Sequence, residues 1–369
     1  MRLIANIFLL FMTVSAIASS NSPKDSIKTV SLRGSRVEIP KKNRDKCPEL
    51  IINNNILISQ LFTHYVSTLT PQKWDEQQIL FDINEFPNVT IAKGTDRSLM
   101  ILNTPGIGNQ LSSLTVIKET DNLKSIKEKN KWKNYDLSGI QNFRLAGCSF
   151  VSLPNNSLLV AGATLETKHL FSIIDYKKQE ATPLEYWPKD GINCTNLVKQ
   201  SVYTDNCRLD GNGNGRFLYQ CKWSRLAFIF TIEGENINIV KELYSDYPVY
   251  KSDEEGLNYI FSQKTTTYER FYCTTNNNRI YVLLLDSDRK GKKFDKYVDS
   301  YIYGNTVVEY DWEGNKKRTI HLDHFGRDIL LSDDNKTLYL ITNDHFNNVV
   351  PRIWSYDISN LDSLPDIEP

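Results

Sequence analysis

The clearest pattern of apolar and polar positions lies between Phe325 and Ile358. Residues 327–332 contain the apolar run 329–331, 333–336 form a polar run (DDNK), and 337–343 are rich in β-branched and aromatic side chains. A third run, 351–358, includes the Tyr-Asp pair 356–357. Polar clusters between short β-prone runs are typical of hairpins. The pattern therefore predicts three short strands joined by polar turns.

The same kind of polar turn recurs along the chain, each time before a short apolar run. The turns are about 60 residues apart, apart from a shorter first interval. They lie at 53–55, 95–98, 154–157, 211–215, 276–278 and 333–335. Three repeats also carry an aromatic-acid pair further on, at 175–176, 310–311 and 356–357. Each repeat predicts the order turn, inner strand, loop, strand, Tyr-Asp, turn.

A unit of three or four strands cannot bury its own faces and must stack on its neighbours. Radial stacking of such units gives a β-propeller, which leaves only short, protected edges. The repeat therefore predicts an all-β fold, a six-bladed β-propeller over residues 47–369. A strand from around Val30–Ile58 is expected to complete the last blade and to remove its open edge. The alternative architecture is a β-sandwich of short strands.

The first 18 residues have the pattern of a secretory signal peptide. Arg2 is followed by a mainly apolar run, and Ala16-Ile17-Ala18 fits the small-x-small cleavage pattern. The run is short for a membrane span, so the mature chain is expected to carry no transmembrane segment. A buried core helix is the alternative. We expect cleavage after Ala18, export to the periplasm or cell envelope, and then a polar segment, 19–46, with an edge hairpin of residues 30–39.

Composition limits the classes of partner. The 369 residues are 40% hydrophobic and 11% aromatic, which is ample for a folded core. The 44 basic residues balance the 44 acidic ones, so no overall charge favours nucleic acid or an anionic membrane surface. We expect a monomer that binds no nucleic acid.

The six cysteines are irregularly spaced and contain no C-x-x-C motif, so they predict neither a thiol redox site nor a zinc site. In an exported chain an even number permits disulfides. Cys194 and Cys207 flank one apparent loop and are the preferred pair. Buried thiols are the alternative.

Two clusters contain residue types that bind metals. Residues 210–215 (DGNGNG) match the first half of a calcium loop, but Cys221 stands where the bidentate Glu belongs, and a Gly/Asn hairpin explains the same residues. His321, Asp323 and His324 form the densest group, yet on a strand His324 points away from the other two. His64, His169 and His345 lack ligand-like spacing. The sequence therefore predicts no metal, cofactor or catalytic residue.

Other chemistry is argued against or left open. There is no G-x-S-x-G elbow, no P-loop and no G-x-G-x-x-G motif. Residues 332–337 (SDDNKT) only partly match a sialidase Asp-box, which also has Gly and Trp. Tyrosines cluster at 244–250 and 297–303 in apparent loops, as in recognition surfaces, although Tyr is also an ordinary strand residue.

The signal peptide, the polar N-terminal strand pair, the Asn-rich turns and the closing Ser355-Tyr356-Asp357 strand together resemble the TolB-like six-bladed propellers of Bacteroidota. The resemblance covers about residues 45–360. It implies an exported propeller of unsettled function and carries over no catalytic residues. The Gly-rich loop of that family is degenerate here, at Asn103–Asn109, and the Cys of its lipoprotein members is absent.

The sequence therefore favours a non-enzymatic binding or scaffold module whose loops contact a protein or glycan partner in the cell envelope. The binding residues are unknown at this level. The alternative is a hydrolase or lyase with its site in the central funnel, metal-assisted in one version.

Overall fold

The computed structural model describes residues 27–40, 43, 47–53, 56–60, 64–75, 77–81, 89–103, 113–118, 120, 122–140, 143–164, 169–204, 207–221, 224–261, 271–285, 304–344 and 349–367. These residues form 27 β-strands and two short α-helices. No helix among them is long and apolar enough to cross a membrane. The Gly-rich segment after Asn103 and the tyrosine group 297–303 lie outside the described residues, as does His345.

The strands build six blades, as the repeat predicts. Two short N-terminal strands come first, β1 (Lys28–Leu32) and β2 (Ser35–Arg36). Blade 1 contains β3 (Cys47–Ile52), β4 (Ile56–Gln60), β5 (His64–Thr68) and β6 (Gln78–Phe81). Blade 2 contains β7 (Val89–Lys93), β8 (Leu99–Asn103), β9 (Ser113–Ile117) and β10 (Lys133–Asp136), with α1 (Leu123–Ile126) between the last two. Blade 3 contains β11 (Phe143–Leu153), β12 (Ser157–Thr164), β13 (Phe171–Asp175) and β14 (Glu180–Leu184).

The second half of the ring carries one insertion on each side of blade 4. Helix α2 (Asn196–Thr204) precedes the blade, which contains β15 (Arg208–Gly211), β16 (Phe217–Gln220), β17 (Leu226–Glu233) and β18 (Asn236–Ser245). A hairpin of β19 (Tyr250–Ser252) and β20 (Tyr259–Phe261) follows. Blade 5 contains β21 (Phe271–Thr275), β22 (Ile280–Leu284), β23 (Gly304–Tyr310) and β24 (Lys316–Gly326). Blade 6 contains β25 (Asp328–Leu331), β26 (Thr337–Asp344) and β27 (Val349–Asp357).

The recurring polar turns lie between the first and second strands of the blades, so the expected strand order needs one correction. The strand after each turn is the second strand, and the strand before it lines the central axis. Asn155, Asn156 and Asn335 have φ near +60° in these turns. Asn tolerates this left-handed conformation better than most residues, which explains why it recurs there.

The aromatic-acid pairs mark the turn after the third strand. The carboxylate of Asp175 accepts from the N–H groups of Lys177 and Lys178, both at 3.0 Å. Asp311 and Asp357 make the same kind of bond to backbone two residues on. Because such a side chain caps its own turn, this hydrogen bond explains why an acid recurs at the same turn in blades 3, 5 and 6.

An apolar cluster fills each interface between neighbouring blades. The cluster between blades 3 and 4 is rich in aromatic rings, with Phe171, Phe228 and Phe230 fully buried. The inner strands also contact one another in sequence, and β25 contacts β3, which closes the ring. Stacking of blades, rather than any single blade, therefore provides the core.

The N-terminal segment closes the ring across three blades. β1 pairs in parallel with β24 of blade 5, and β2 pairs antiparallel with β27 and completes blade 6, as predicted. Beyond β2, the Val37 N–H donates to the Ile353 carbonyl (2.9 Å), and Glu38 bridges to Lys73 of blade 1. We call residues 28–38 the strap. The edge hairpin expected at 30–39 is wrong, because its two arms pair with different blades.

The C-terminal tail holds the strap from outside. The Thr29 N–H donates to the Asp366 carboxylate (2.7 Å), and the Ile367 N–H donates to the Thr29 carbonyl (2.8 Å). The Lys28 ammonium donates to the carbonyl of Asp362 (2.9 Å). Both ends of the described chain are therefore joined at blade 5.

Candidate functional site

The inner strands β3, β7, β11, β15, β21 and β25 enclose a cavity of about 1090 Å³ along the central axis. Its wall is mixed, with apolar side chains between hydroxyl, amide and charged groups. The charged residues of the wall are Glu49, Lys93, Arg97, Arg208, Asp210, Asp328 and Asp333. A ligand pocket usually measures about 300–1,000 Å³, so this cavity is large enough for one.

Arg208 and Asp328 meet inside this cavity. Arg208 begins β15 of blade 4 and Asp328 begins β25 of blade 6, while β21 of blade 5 contacts both strands. The guanidinium Nη1 lies 3.5 Å from the Asp328 Oδ1, and each side chain is 30% exposed. A charge-assisted hydrogen bond is usually about 2.7–2.9 Å long, so this pair is loosely joined.

The charges around Arg208 influence one another. Burial in the wall raises the pKa of Asp328 above its usual value, and the nearby Arg208 charge only partly opposes this. Burial also raises the pKa of the Cys273 thiol of blade 5; Arg208 opposes that rise, whereas Asp210 and Asp328 add to it. One guanidinium therefore lies among two carboxylates near the start of these inner strands.

Hydrogen bonds between blades fix this part of the wall. The Ser149 hydroxyl of β11 accepts from the Leu209 N–H of β15 (3.0 Å). The Gln220 side-chain carbonyl accepts from the Cys273 N–H (3.1 Å), which joins blade 4 to blade 5. Because both bonds tie a side chain of one blade to the backbone of the next, the wall around Arg208 is held by strands rather than by loops.

The turns between first and second strands carry a second charged pair. Lys93 at the end of β7 forms an ion pair with Asp333, which follows β25 on the far side of blade 1. Within the same turn, the Ser332 hydroxyl donates to Asp334 (2.6 Å) and accepts from the Thr337 N–H (2.9 Å). The residues that partly match an Asp-box are therefore explained as a hairpin turn.

The partial calcium motif is also a hairpin turn, between β15 and β16. The Asn212 side-chain oxygen accepts from the N–H groups of Asn214 (2.8 Å) and Arg216 (3.1 Å). Gly213 and Gly215 adopt φ values of +74° and +82°, which a side chain rarely tolerates. Within the described ranges no three His, Cys, Asp or Glu side chains are grouped to hold a metal ion.

The histidine cluster lies at the strap. Asp323 accepts hydrogen bonds from the Gly34 N–H (3.0 Å), the Tyr356 hydroxyl (3.1 Å) and the His324 ring (2.7 Å). The His324 ring stacks on Trp354 of β27 with 3.3 Å between ring centroids. We call Gly34, Asp323, His324, Trp354 and Tyr356 the latch, because they join the strap to blades 5 and 6.

The pKa of the latch carboxylate is shifted in the opposite direction to that of Asp328. Partial burial acts to raise the pKa of Asp323, but the hydrogen bonds from Gly34, His324 and Tyr356 outweigh it, so its pKa lies below the usual value. The His321 ring, by contrast, lies 3.3 Å from the Thr306 hydroxyl of the neighbouring strand. Asp323 and His324 of the histidine cluster therefore belong to the latch, and His321 is a separate strand residue.

The structure answers two questions that the sequence left open beside blade 4. Cys194 and Cys207 are thiols and are not joined to each other; the Cys194 sulfur contacts the Tyr250 hydroxyl at 3.9 Å. Tyr244 and Tyr250 lie in strands β18 and β19, which is the alternative that the sequence offered for this tyrosine cluster. Tyr250 is 5% exposed, and Tyr244 bonds to the Tyr310 hydroxyl of blade 5 (2.9 Å).

A buried polar network also lies here. The Asp190 side chain is fully buried and accepts from Lys199 (2.9 Å), Tyr203 (2.9 Å) and Tyr250 (2.8 Å). Burial acts to raise the pKa of Asp190, but the bonds from these partners outweigh it and lower the pKa. The adjoining groove at His169 is shallow and open, with a volume of about 530 Å³. Since the carboxylate accepts from all three groups, this network fastens α2 and the β19–β20 hairpin to the loop that follows β14.

Comparisons with known proteins show similarity of fold only. No protein-family model matches the chain, and no curated protein matches it. Among solved structures, the Cps50 (Swd1) propeller domain of Myceliophteria thermophila is 8% identical and has a TM-score of 0.46, covering 88% of this chain and all of that one. An auxiliary nutrient binding protein of Bacteroides thetaiotaomicron is 10% identical with a TM-score of 0.44, covering 83% of this chain and 67% of that one. A gluconolactonase of Xanthomonas campestris is 9% identical with a TM-score of 0.43, covering 88% and 89%.

Proposed function

We propose that this chain is an exported binding module that holds part of a protein or glycan partner in its central cavity. The cavity of about 1090 Å³ carries the proposal, because its wall exposes a loosely joined Arg208–Asp328 pair. Unlike the carboxylates of the latch and the Asp190 network, Asp328 accepts no close hydrogen bond from another described side chain, because Arg208 lies 3.5 Å away. Binding sites usually have a rigid wall whose polar groups can still form hydrogen bonds to a ligand.

The likeness to TolB-like propellers of Bacteroidota supports the same proposal. It rests on the order of the signal peptide, the Asn-rich turns and the Ser355-Tyr356-Asp357 strand. Export is tested by N-terminal sequencing of the mature protein. We expect the sequence to begin at Ser19. A mature protein that keeps Met1 would contradict export through this signal.

Blocking the cavity tests the binding role. Thr275 lines the cavity and is partly exposed, so Thr275→Trp places a large side chain inside it. Thr182→Trp, on the exposed edge strand β14, is the matched control. A glycan library and a peptide library would be screened by calorimetry with the purified mature protein. We expect a ligand that binds the wild type and the control and loses affinity for Thr275→Trp. A ligand unaffected by Thr275→Trp, or no ligand in either library, would overturn the proposal.

A further inference from the structure

The Arg208–Asp328 contact leaves unused hydrogen-bonding capacity on both sides. A guanidinium has five N–H donors, and among the described residues that of Arg208 makes only the 3.5 Å contact to Asp328. Asp328 accepts from the neighbouring Ile329 N–H at 2.7 Å through the same Oδ1. Because both side chains are 30% exposed to the cavity, the remaining donors and acceptors face the space that a ligand would occupy.

The balance of charge argues against a charged ligand. Asp210 lies two residues after Arg208 on β15, so both side chains are on the same face of the strand. An anionic ligand would approach two carboxylates here, and a cationic ligand would approach the guanidinium. The other charged residues of the wall are Lys93 and Asp333, which are joined directly, and Glu49 and Arg97, which carry opposite charges. The wall therefore offers donors and acceptors side by side without a strong excess of either charge.

We propose that the cavity wall at Arg208 and Asp328 is a subsite for an uncharged ligand with neighbouring hydroxyl groups, a saccharide. A hydroxyl donates to a carboxylate and accepts from a guanidinium at the same time. Two adjacent hydroxyls match the separate atoms of the pair better than a single ion does. This inference rests on the proposed binding role of the cavity and assigns its ligand class.

The panel for the test contains uncharged oligosaccharides, oligouronates and amino-sugar oligomers of matched linkage. Calorimetry on the full mature chain compares the wild type with Asp328→Asn, which keeps the side-chain size, and Arg208→Gln, which keeps a polar amide in place of the guanidinium. The control is a second Arg–Asp pair, Arg225 with Asp246, at 3.0 Å on the exposed part of blade 4. Arg225→Gln and Asp246→Asn change the same chemistry outside the cavity.

We expect an uncharged oligosaccharide to bind most tightly, and each cavity variant to bind it about tenfold to a hundredfold more weakly. The control variants should bind within about twofold of the wild type. Preference for an oligouronate or an amino sugar, unchanged affinity in the cavity variants, or no binding from the panel would overturn the saccharide assignment. If Thr275→Trp still abolishes binding of another ligand, the cavity remains the binding site and only the ligand class is wrong.

Discussion

Asp323 and Asp328 are five positions apart, yet they lie in opposite settings. Asp323, near the end of β24, accepts three hydrogen bonds in the latch, and its pKa is lowered. Asp328, at the start of β25, accepts from the Ile329 N–H and makes one loose contact to Arg208, and its pKa is raised by burial. Between them the chain passes from the edge of blade 5 to the central cavity. The first carboxylate is used to hold the ring together, and the second remains available to a ligand.

Among the variants that test this comparison, removal of the strap should lower the free energy of unfolding the most. A variant beginning at Pro40 loses Val30, Leu32 and Val37, which are 0%, 9% and 1% exposed. Burial of such a side chain contributes about 1.5–3 kcal/mol, so the loss should exceed about 5 kcal/mol. A variant beginning at Ile27 keeps the strap and is the control. Urea unfolding measures both; equal free energies of unfolding would show that the strap does not close the ring.

Crowding the latch should have the next largest effect. A Cβ on Gly34 would lie 2.7 Å from the Cζ atom of the buried Tyr356 ring. We expect Gly34→Ala to cost about 1–3 kcal/mol, because the ring must shift away from Asp323. In the control, Gly139→Ala, the new Cβ meets only the flexible end of Gln179. Thermal unfolding of the two variants gives the comparison, and equal melting temperatures would contradict it.

Removing the latch carboxylate should cost less. Asp323→Ala leaves the Gly34 N–H and the Tyr356 hydroxyl without their acceptor, and partial exposure limits the loss to about 1–2 kcal/mol. Asp246→Ala removes a more exposed ion pair and should cost less than about 1 kcal/mol. Denaturant unfolding at neutral pH tests this prediction, which would be wrong if the two variants lost the same amount.

The Asp323 contribution should vanish in acid. Its pKa in the folded protein lies below the ordinary 3.8, so the stabilisation is present above 3.8 and is lost as the pH falls through the folded value. The difference in free energy of unfolding between the wild type and Asp323→Ala should therefore shrink at low pH. A difference that stays constant as the pH falls below the folded pKa of Asp323 would contradict a stabilising role for its carboxylate.

Replacement of Asp328 should change the free energy of unfolding the least. The change should have the opposite sign to that for Asp323. Its folded pKa lies above 3.8, so ionisation destabilises the fold increasingly as the pH rises from 3.8 through that value. Asp328→Asn removes this penalty and should leave stability unchanged or raise it by less than about 1 kcal/mol at neutral pH. A clear loss of stability in unfolding experiments would place Asp328 with the structural carboxylates.

The two carboxylates also show which site residues the sequence can predict and which it cannot. Asp323 is noticed in the sequence because it lies in the densest group of potential ligands, yet its partners come from the strap and from β27. Arg208 and Asp328 have no sequence signal, since 120 positions separate them and neither belongs to a motif. Asp210 is noticed only as the start of a turn.

The sequence by itself determines the repeated unit, the positions of its turns and the number of blades. These are local properties, because Asn and Gly favour left-handed turn conformations and alternating β-prone runs favour strands. It also indicates that an N-terminal strand completes the ring.

Only the tertiary structure decides which strand lines the axis, how the strap divides between blades, and which charges meet in the cavity. Strand pairing and side-chain contacts between blades depend on how the whole ring closes, and no short stretch of sequence contains that information. The same closure that pairs Asp323 with Gly34 brings Asp328 of blade 6 to Arg208 of blade 4.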